Sequence, residues 1–199
     1  MIIKTIVVSA YRQNARVLID EATRTAMIVD PGDDVERILA AAEPEVNMIA
    51  MVVATHGHHD HVAGIPRLMD LIRGGRRDGS QTRLYVDSRD LFLYPGLPPA
   101  TYMDHMDRLT LGSIDIRLLH TPGHSPGHTA LYFPSEQLLI SGDALFAGAI
   151  GRTDLPGGDF DTLMHSIRTQ FFTLPDETRV LSGHGPDTTI GKEKKLGYS

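Results

Sequence analysis

Along the first half of the chain, hydrophobic positions switch between two periods. Residues 2–9, 15–20 and 25–30 are short, rich in β-branched side chains and separated by turn residues, which predicts three strands. Over residues 33–42 the period lengthens. Val35, Ile38, Leu39 and Ala42 fall at i, i+3, i+4 and i+7 and predict a helix. Asp33 and Glu36 stand where a capping-box pair would stand, and Pro44 supplies the stop. Residues 48–54 are almost continuously apolar, the pattern of a strand buried on both faces. A helix over residues 65–73, with Pro66 in its first turn, a loop over 74–80, a strand at Arg83–Val86 and a short helix over 88–94 complete this half.

The second half predicts three antiparallel strands over residues 109–119, 128–133 and 137–141. Phe160, Leu163, Met164, Ile167 and Phe171 put one apolar, core-facing stripe on a helix that starts near Asp159. Arg179–Ser182 is the last predicted strand, followed by a loop over 183–191 and a polar tail. No linker rich in Pro, Gly or Ser divides the chain, so residues 1–199 are expected to form one domain.

Composition narrows the function. There is no cysteine, which excludes disulfide scaffolds, iron–sulfur clusters and thiol catalysis and accords with a reducing cytoplasm. Nineteen basic against 25 acidic residues give a net charge of −6, which disfavours a nucleic-acid partner. No apolar run approaches the ~20 residues of a membrane span, and the first ten residues read as a strand rather than a leader.

Histidine is the informative residue. The chain has ten, and His56, His58, His59 and His61 fall within six positions directly after the apolar run. Together with Asp60 they form H-x-H-x-D-H, a neutral-imidazole and carboxylate set suited to zinc, iron or manganese. If His56 and His58 are extended, they project to one side. Asp60 and His61 then follow a bend and can serve a neighbouring position. Further donors stand at three more junctions: His120, His124 and His128 in HTPGHSPGH, Asp143 in SGD, and His184 in SGHGP. Pro122, Gly123, Pro126 and Gly127 forbid a helix in the first of these, so its histidines need not share a site. Such strand-to-loop junctions can converge on one rim of a sheet.

In their order, H-x-H-x-D-H, TPGHSPGH, SGDALF, GRTD and SGHGPDTTIGKEK resemble the metallo-β-lactamase superfamily. Within it the chain is similar to short bacterial members of the glyoxalase II (hydroxyacylglutathione hydrolase) branch, over about residues 2–195. The resemblance implies an α/β fold, an αββα sandwich of two mixed sheets with helices outside and metals at one edge. It also implies two divalent metals, zinc first, with iron or manganese as alternatives. His56, His58 and His124 would hold the first, Asp60, His61 and His184 the second, and Asp143 would bridge them. His59 is expected at the rim, His105 and His165 at the surface, His120 buried or behind the ligands, and His128 in support.

The implied reaction is attack by an activated water on the carbonyl of a small-molecule thioester derived from glutathione, with Asp60 orienting or deprotonating the water. The leaving thiolate is weakly basic and needs no strong acid. Arg152, in the GRTD stretch, is the expected contact for a glutathione carboxylate, against the plainer reading of an ion pair with Asp154. The resemblance leaves two other activities open: a one-iron persulfide dioxygenase and another hydrolase such as a lactonase. Longer glyoxalase II enzymes carry a C-terminal helical glutathione-binding domain. The sequence here runs only to Ser199, so a permissive hydrolytic core is expected.

Overall fold

Strand pairing in a computed structural model sorts the chain into two six-stranded sheets. The structure describes residues 1–42, 45–74, 81–104 and 106–198. The helix stop at Pro44, most of the loop predicted over 74–80, and His105 lie outside the described residues. The first sheet contains β1 (Ile2–Val8), β2 (Gln13–Asp20), β3 (Thr25–Val29), β4 (Met48–Val53), β5 (Arg83–Val86) and β6 (Thr101–Tyr102), side by side in that order. Its first three strands are antiparallel and the rest parallel.

The second half supplies β7 (Arg108–Leu111), β8 (Ile114–His120), β9 (Thr129–Phe133) and β10 (Leu138–Gly142). A small hairpin of β11 (Leu145–Phe146) and β12 (Ala149–Ile150) follows, then β13 (Arg179–Ser182) and β14 (Thr188–Thr189). The second sheet runs β14-β13-β10-β9-β8-β7 and is parallel only between β10 and β13.

Alternation along the strands builds three apolar layers. Leu18, Met27, Val29 and Val53 of the first sheet face Leu111, Ile116, Leu131, Phe133 and Ile140 of the second. On the outer face of the first sheet lie α1 (Val35–Ala42) and α3 (Ile65–Gly74), whose Ile38, Ile65, Leu68 and Met69 pack on Val17, Ile19, Ile28 and Val52. The short α2 (His59–Val62) contributes Val62 to the same apolar layer. On the outer face of the second sheet α4 (Phe160–Ser166) and the turn that continues it bury Leu163, Met164, Ile167 and Phe171 against Ala130, Leu139 and Val180. Each fully buried apolar side chain of this kind contributes ~1.5–3 kcal/mol relative to exposure. The result is the expected αββα sandwich.

The structure departs from the sequence pattern where polar contacts override it. Residues 109–119 form a hairpin, not one strand, because Gly112 turns at φ 57° and the apolar alternation slips by one residue there, from Leu111 to Ile114. Asp20 secures that turn by accepting from the Ser113 N–H (2.7 Å) and hydroxyl (3.0 Å). The polar tail contains α5 (Ile190–Leu196), capped by Thr189, with Ile190 and Glu193 buried. Glu193 accepts from the Gly148 N–H at 3.0 Å and from the Thr188 and Tyr198 hydroxyls. That helix is fastened by hydrogen bonds, so it shows almost no hydrophobic period. The helix predicted over 88–94 is a single turn at Ser88–Asp90. Phe160 is 48 % exposed, so the buried stripe begins at Leu163. No capping box forms at α1: Asp33 accepts from the Asp34 N–H, and Asp34 sits at φ 50°.

Candidate metal centre

The first donors leave the sheet at the end of β4. Thr55 donates its N–H and its hydroxyl to the two Asp30 oxygens, each at 2.7 Å, which fixes the chain as it exits. The Thr55 oxygen, its own proton spent on Asp30, lies 3.1 Å from His56 Nδ1 and accepts from it. His58 is extended (φ −67°, ψ 145°) and caps α2, so Asp60 and His61 follow on a helical turn. That turn is the bend anticipated after His58. Asp30 also lies 3.0 Å from His61 Nδ1. Gly32 lets this turn approach: a Cβ there would lie 1.6 Å from the Asp60 carbonyl oxygen.

The second sheet contributes one donor from each of three loops. His124, between β8 and β9, donates Nδ1–H to the Arg152 carbonyl at 2.8 Å. Asp143 follows β10 just past a register shift, where Gly142 adopts φ 50°, and its N–H donates to His128 Nε2 at 3.2 Å. His184 follows β13 and donates Nδ1–H to the Tyr11 carbonyl at 3.1 Å. The Asn14 amide clamps that loop by donating to the Ser182 and Gly185 carbonyls at 3.1 and 3.0 Å.

These seven side chains meet at the sandwich edge. His61 Nε2 lies 3.3 Å from Asp143 Oδ1, and His184 Nε2 lies 3.1 Å from Asp60 Oδ2 and 3.4 Å from Asp143 Oδ2. His58 Nδ1 is 2.9 Å from His124 Nε2, and Asp143 Oδ2 is 3.8 Å from the same atom. Their donor atoms fall into three overlapping groups, each within 4.8 Å: His56, His58 and His124; His56, His61 and Asp143; Asp60, His61 and His184.

The hydrogen bonds also decide which atoms are left free. In His56, His61, His124 and His184 the Nδ1 atom is engaged away from the centre, which leaves Nε2 facing inward. His58 is reversed, with Nδ1 inward. Nε2 of His56 and His61 and Oδ1 of Asp143 are buried without a hydrogen-bond partner. A buried polar atom left this way costs ~1–3 kcal/mol, and several converging lone pairs are relieved together by a cation. The donor set, nitrogen and oxygen without sulfur, fits divalent metals.

Electrostatics divides the cluster. Burial lowers His58 to about 4 and His128 to about 3, and also lowers His124 and, strongly, His56. Burial acts the same way on His61, but the Asp143 and Asp30 carboxylates outweigh it and hold that ring well above its ordinary value. Hydrogen bonds to Asp143 and Asp60 raise His184 to about 9. Burial opposes ionisation of Asp143, yet His61 and His184 keep it well below the carboxylate range.

Arg152 lies on the strand-poor stretch after β12, and its guanidinium forms a two-pronged pair with Asp154, both contacts 2.7 Å. The pair is exposed, 61 % at Arg152. His59 is exposed near Tyr94, and His165 is at the surface as expected. His120 is a correction. It is exposed although it shares the alternation of the buried Ile114, Ile116 and Leu118, because it is the last residue of β8, at the strand's end, where Nε2 faces the Pro126 carbonyl at 3.0 Å. Two residues that hold the donor segments were not among the candidates read from the sequence. Asp30, in a D-P-G turn, orients both Thr55 and His61. Asp90, in an unremarked polar stretch, accepts from Gly57, Ser125 and Gly127. For Asp30 the signal was an acidic residue at a strand end facing the histidine segment. For Asp90 there was none.

A two-sheet sandwich with histidines and aspartates on its edge loops defines a class, and the family comparison gives the same class. The Metallo-beta-lactamase superfamily model matches residues 12–184, and the chain belongs to that superfamily. Among its relatives is the hydroxyacylglutathione hydrolase GloC of Haemophilus influenzae, 34 % identical over 204 residues, covering 98 % of this chain and 96 % of that protein. A solved structure of TTHA1623 in a di-iron-bound form is 33 % identical with a TM-score of 0.81, covering 97 % of this chain and 98 % of that one. ETHE1 from Myxococcus xanthus is 28 % identical with a TM-score of 0.84, covering all of this chain and 84 % of that one. No helix among the described residues is long and apolar enough to cross a membrane.

Proposed function

We propose that the chain is a metal-dependent thioester hydrolase whose substrate is an S-(2-hydroxyacyl)glutathione, released as the 2-hydroxy acid and glutathione. The observation that carries this reading is the set of inward, unpartnered donor atoms at His56, His61 and Asp143, in a chain that aligns nearly end to end with the Haemophilus hydrolase. In this reading His56, His58 and His124 hold one divalent ion, Asp60, His61 and His184 hold another, and Asp143 lies between them. Zinc is the metal proposed, with iron or manganese compatible with the same donors. Ions bound there supply a nucleophilic water near neutral pH and polarise a carbonyl oxygen.

The chain's own residues do the rest. Asp60 is half-buried at the cluster's solvent side, where its carboxylate orients the attacking water and accepts its proton. In the metal-free protein His184 Nε2, 3.1 Å from Asp60 Oδ2, keeps that carboxylate ionised, a part the ion itself would take over when bound. The leaving thiolate is a weak base, so no strong general acid is needed. Arg152 is the proposed contact for a carboxylate of the glutathione tail, and it must exchange Asp154 for the substrate to make it.

A second reading has its own observation. His56, His61 and Asp143 form a two-histidine, one-carboxylate group, a donor pattern used by non-haem iron oxygenases, and ETHE1 shares the fold. Metal analysis of the purified chain, coupled to steady-state turnover of S-lactoylglutathione and to oxygen uptake with glutathione persulfide, separates the two. Thioester hydrolysis without oxygen uptake is the expected result. Iron-dependent oxygen consumption with no hydrolysis would replace the first reading by the second.

A further inference from the structure

Asp90 ends the single turn that follows β5 and is 4 % exposed. Its Oδ2 accepts from the Gly57 N–H at 2.9 Å and from the Ser125 hydroxyl at 2.7 Å, and its Oδ1 accepts from the Gly127 N–H at 2.6 Å. Gly57 lies between His56 and His58. Ser125 follows His124. Gly127 precedes His128, whose Nε2 accepts the Asp143 N–H. One carboxylate therefore grips the histidine segment of the first sheet and the histidine loop of the second. The fit leaves no slack: a Cβ on Gly57 would lie 2.7 Å from the Asp90 carbonyl oxygen, and one on Gly127 would lie 2.8 Å from the Asp90 carboxyl carbon.

Among the described residues no lysine or arginine pairs with Asp90. The neighbouring Arg89 guanidinium turns to Asp87. A buried carboxylate without a cation is expensive to keep, and here it is satisfied only by N–H and O–H groups of the two loops. The second donor group is oriented by other partners, Asp30 behind His61 and the Tyr11 carbonyl behind His184.

We propose that Asp90 is a positioning residue that fixes the His56–His58 segment against the His124 loop and so sets the affinity and coordination geometry of the three-histidine group, touching neither metal nor substrate. The inference rests on the metal-binding part of the reading above and not on the thioester.

Cobalt(II), whose visible bands report coordination geometry, is the probe. Titrations against a chelator in full-length His184→Ala and His58→Ala backgrounds isolate the three-histidine group and the Asp60 group respectively. Adding Asp90→Asn should weaken cobalt at the three-histidine group ~10–100-fold, the usual range for losing a partner behind the ligands, and shift its bands. The asparagine NH₂ would face an N–H donor. The same substitution should leave the other group within about 3-fold. Ser125→Ala removes a single bond and should give the same selective change, smaller. Equal loss at both groups, or a lower melting temperature of the metal-free protein with affinity and bands unchanged, would overturn the proposal. If Asp90→Asn does not fold, unchanged affinity in Ser125→Ala overturns it and selective weakening supports it. Wild type that binds cobalt but does not hydrolyse the thioester defeats the proposed reaction and leaves Asp90's role standing. Wild type that binds no cobalt overturns both.

Discussion

The two sheets bring donors to the centre in different ways. The first supplies four, His56, His58, Asp60 and His61, from one segment after β4, and side chains aim two of them: Thr55 behind His56 and Asp30 behind His61. The second supplies three from separate loops, and backbone carbonyls aim its histidines: Arg152 behind His124 and Tyr11 behind His184. A side-chain partner can be deleted by substitution, whereas a carbonyl partner survives any change of its residue. The first half should therefore be fragile to mutation behind the donors and the second robust. The halves meet through His58 against His124 and Asp60 against His184, and Asp143 lies at the middle, near His61 on one side and His124 and His184 on the other.

The largest effect should come from removing what the halves share. Asp143→Ala should cut thioester turnover by ~10²–10⁴-fold, the span for losing an activating group, and deplete both metals. Steady-state rates with elemental analysis check this. Loss of only one metal would mean that the halves are independent.

Side-chain and carbonyl partners behind the donors should respond differently to substitution. Asp30→Ala should lower metal affinity ~10–100-fold. Arg152→Ala and Tyr11→Ala should leave it unchanged, because the carbonyls that hold His124 and His184 remain. Chelator competition on the three proteins reads the contrast, and weakened binding in Arg152→Ala would break it.

Proton binding should divide the metal-free protein along related lines. His58, lowered to about 4, contributes stability that is present above its unfolded value of 6.5 and lost as pH falls through 4. His184, raised to about 9, contributes stability that is present below 6.5 and lost as pH rises through 9. Chelator-treated protein should thus melt highest near pH 6.5 and lower on both sides. His184→Ala should lessen the alkaline fall, to which the raised His61 also contributes, and spare the acid one. A melting temperature that climbs steadily to pH 9 contradicts this assignment.

The smallest effect belongs to the exposed Arg152–Asp154 pair. Arg152→Ala should raise KM for the glutathione thioester by about 2–5-fold, the range of an exposed ion pair, with no change for a thioester that lacks a carboxylate. An equal change for both substrates would remove Arg152 from substrate binding.

The same asymmetry governs what the sequence disclosed. Four donors in six positions after an apolar run are a chemical signal in themselves, and the bend that separates His58 from Asp60 was legible from the spacing. Asp143 and His184 each stand alone after a strand, and His124 is one of three histidines in and beside its loop. Local pattern made them candidates, and only the resemblance grouped them. Asp30 and Asp90 act through contacts 25 to 37 residues away, which no local period encodes. In the fold, strands and helices with a regular apolar face were readable. The Gly112 turn showed only as a one-residue slip in the alternation between Leu111 and Ile114, and α5, fastened by Glu193 and Thr189, had too few apolar positions to declare itself.

The donors run from residue 56 to residue 184 and come from both sheets, so a filled centre is also a cross-link over most of the chain's length. A tie that closes so long a loop restricts the unfolded chain and binds only the folded one. Metal supply would then govern how long each molecule lasts as well as whether it works. Loaded copies would resist proteases, while copies starved of metal would open at the sandwich edge, where the two sheets meet, and be cleared.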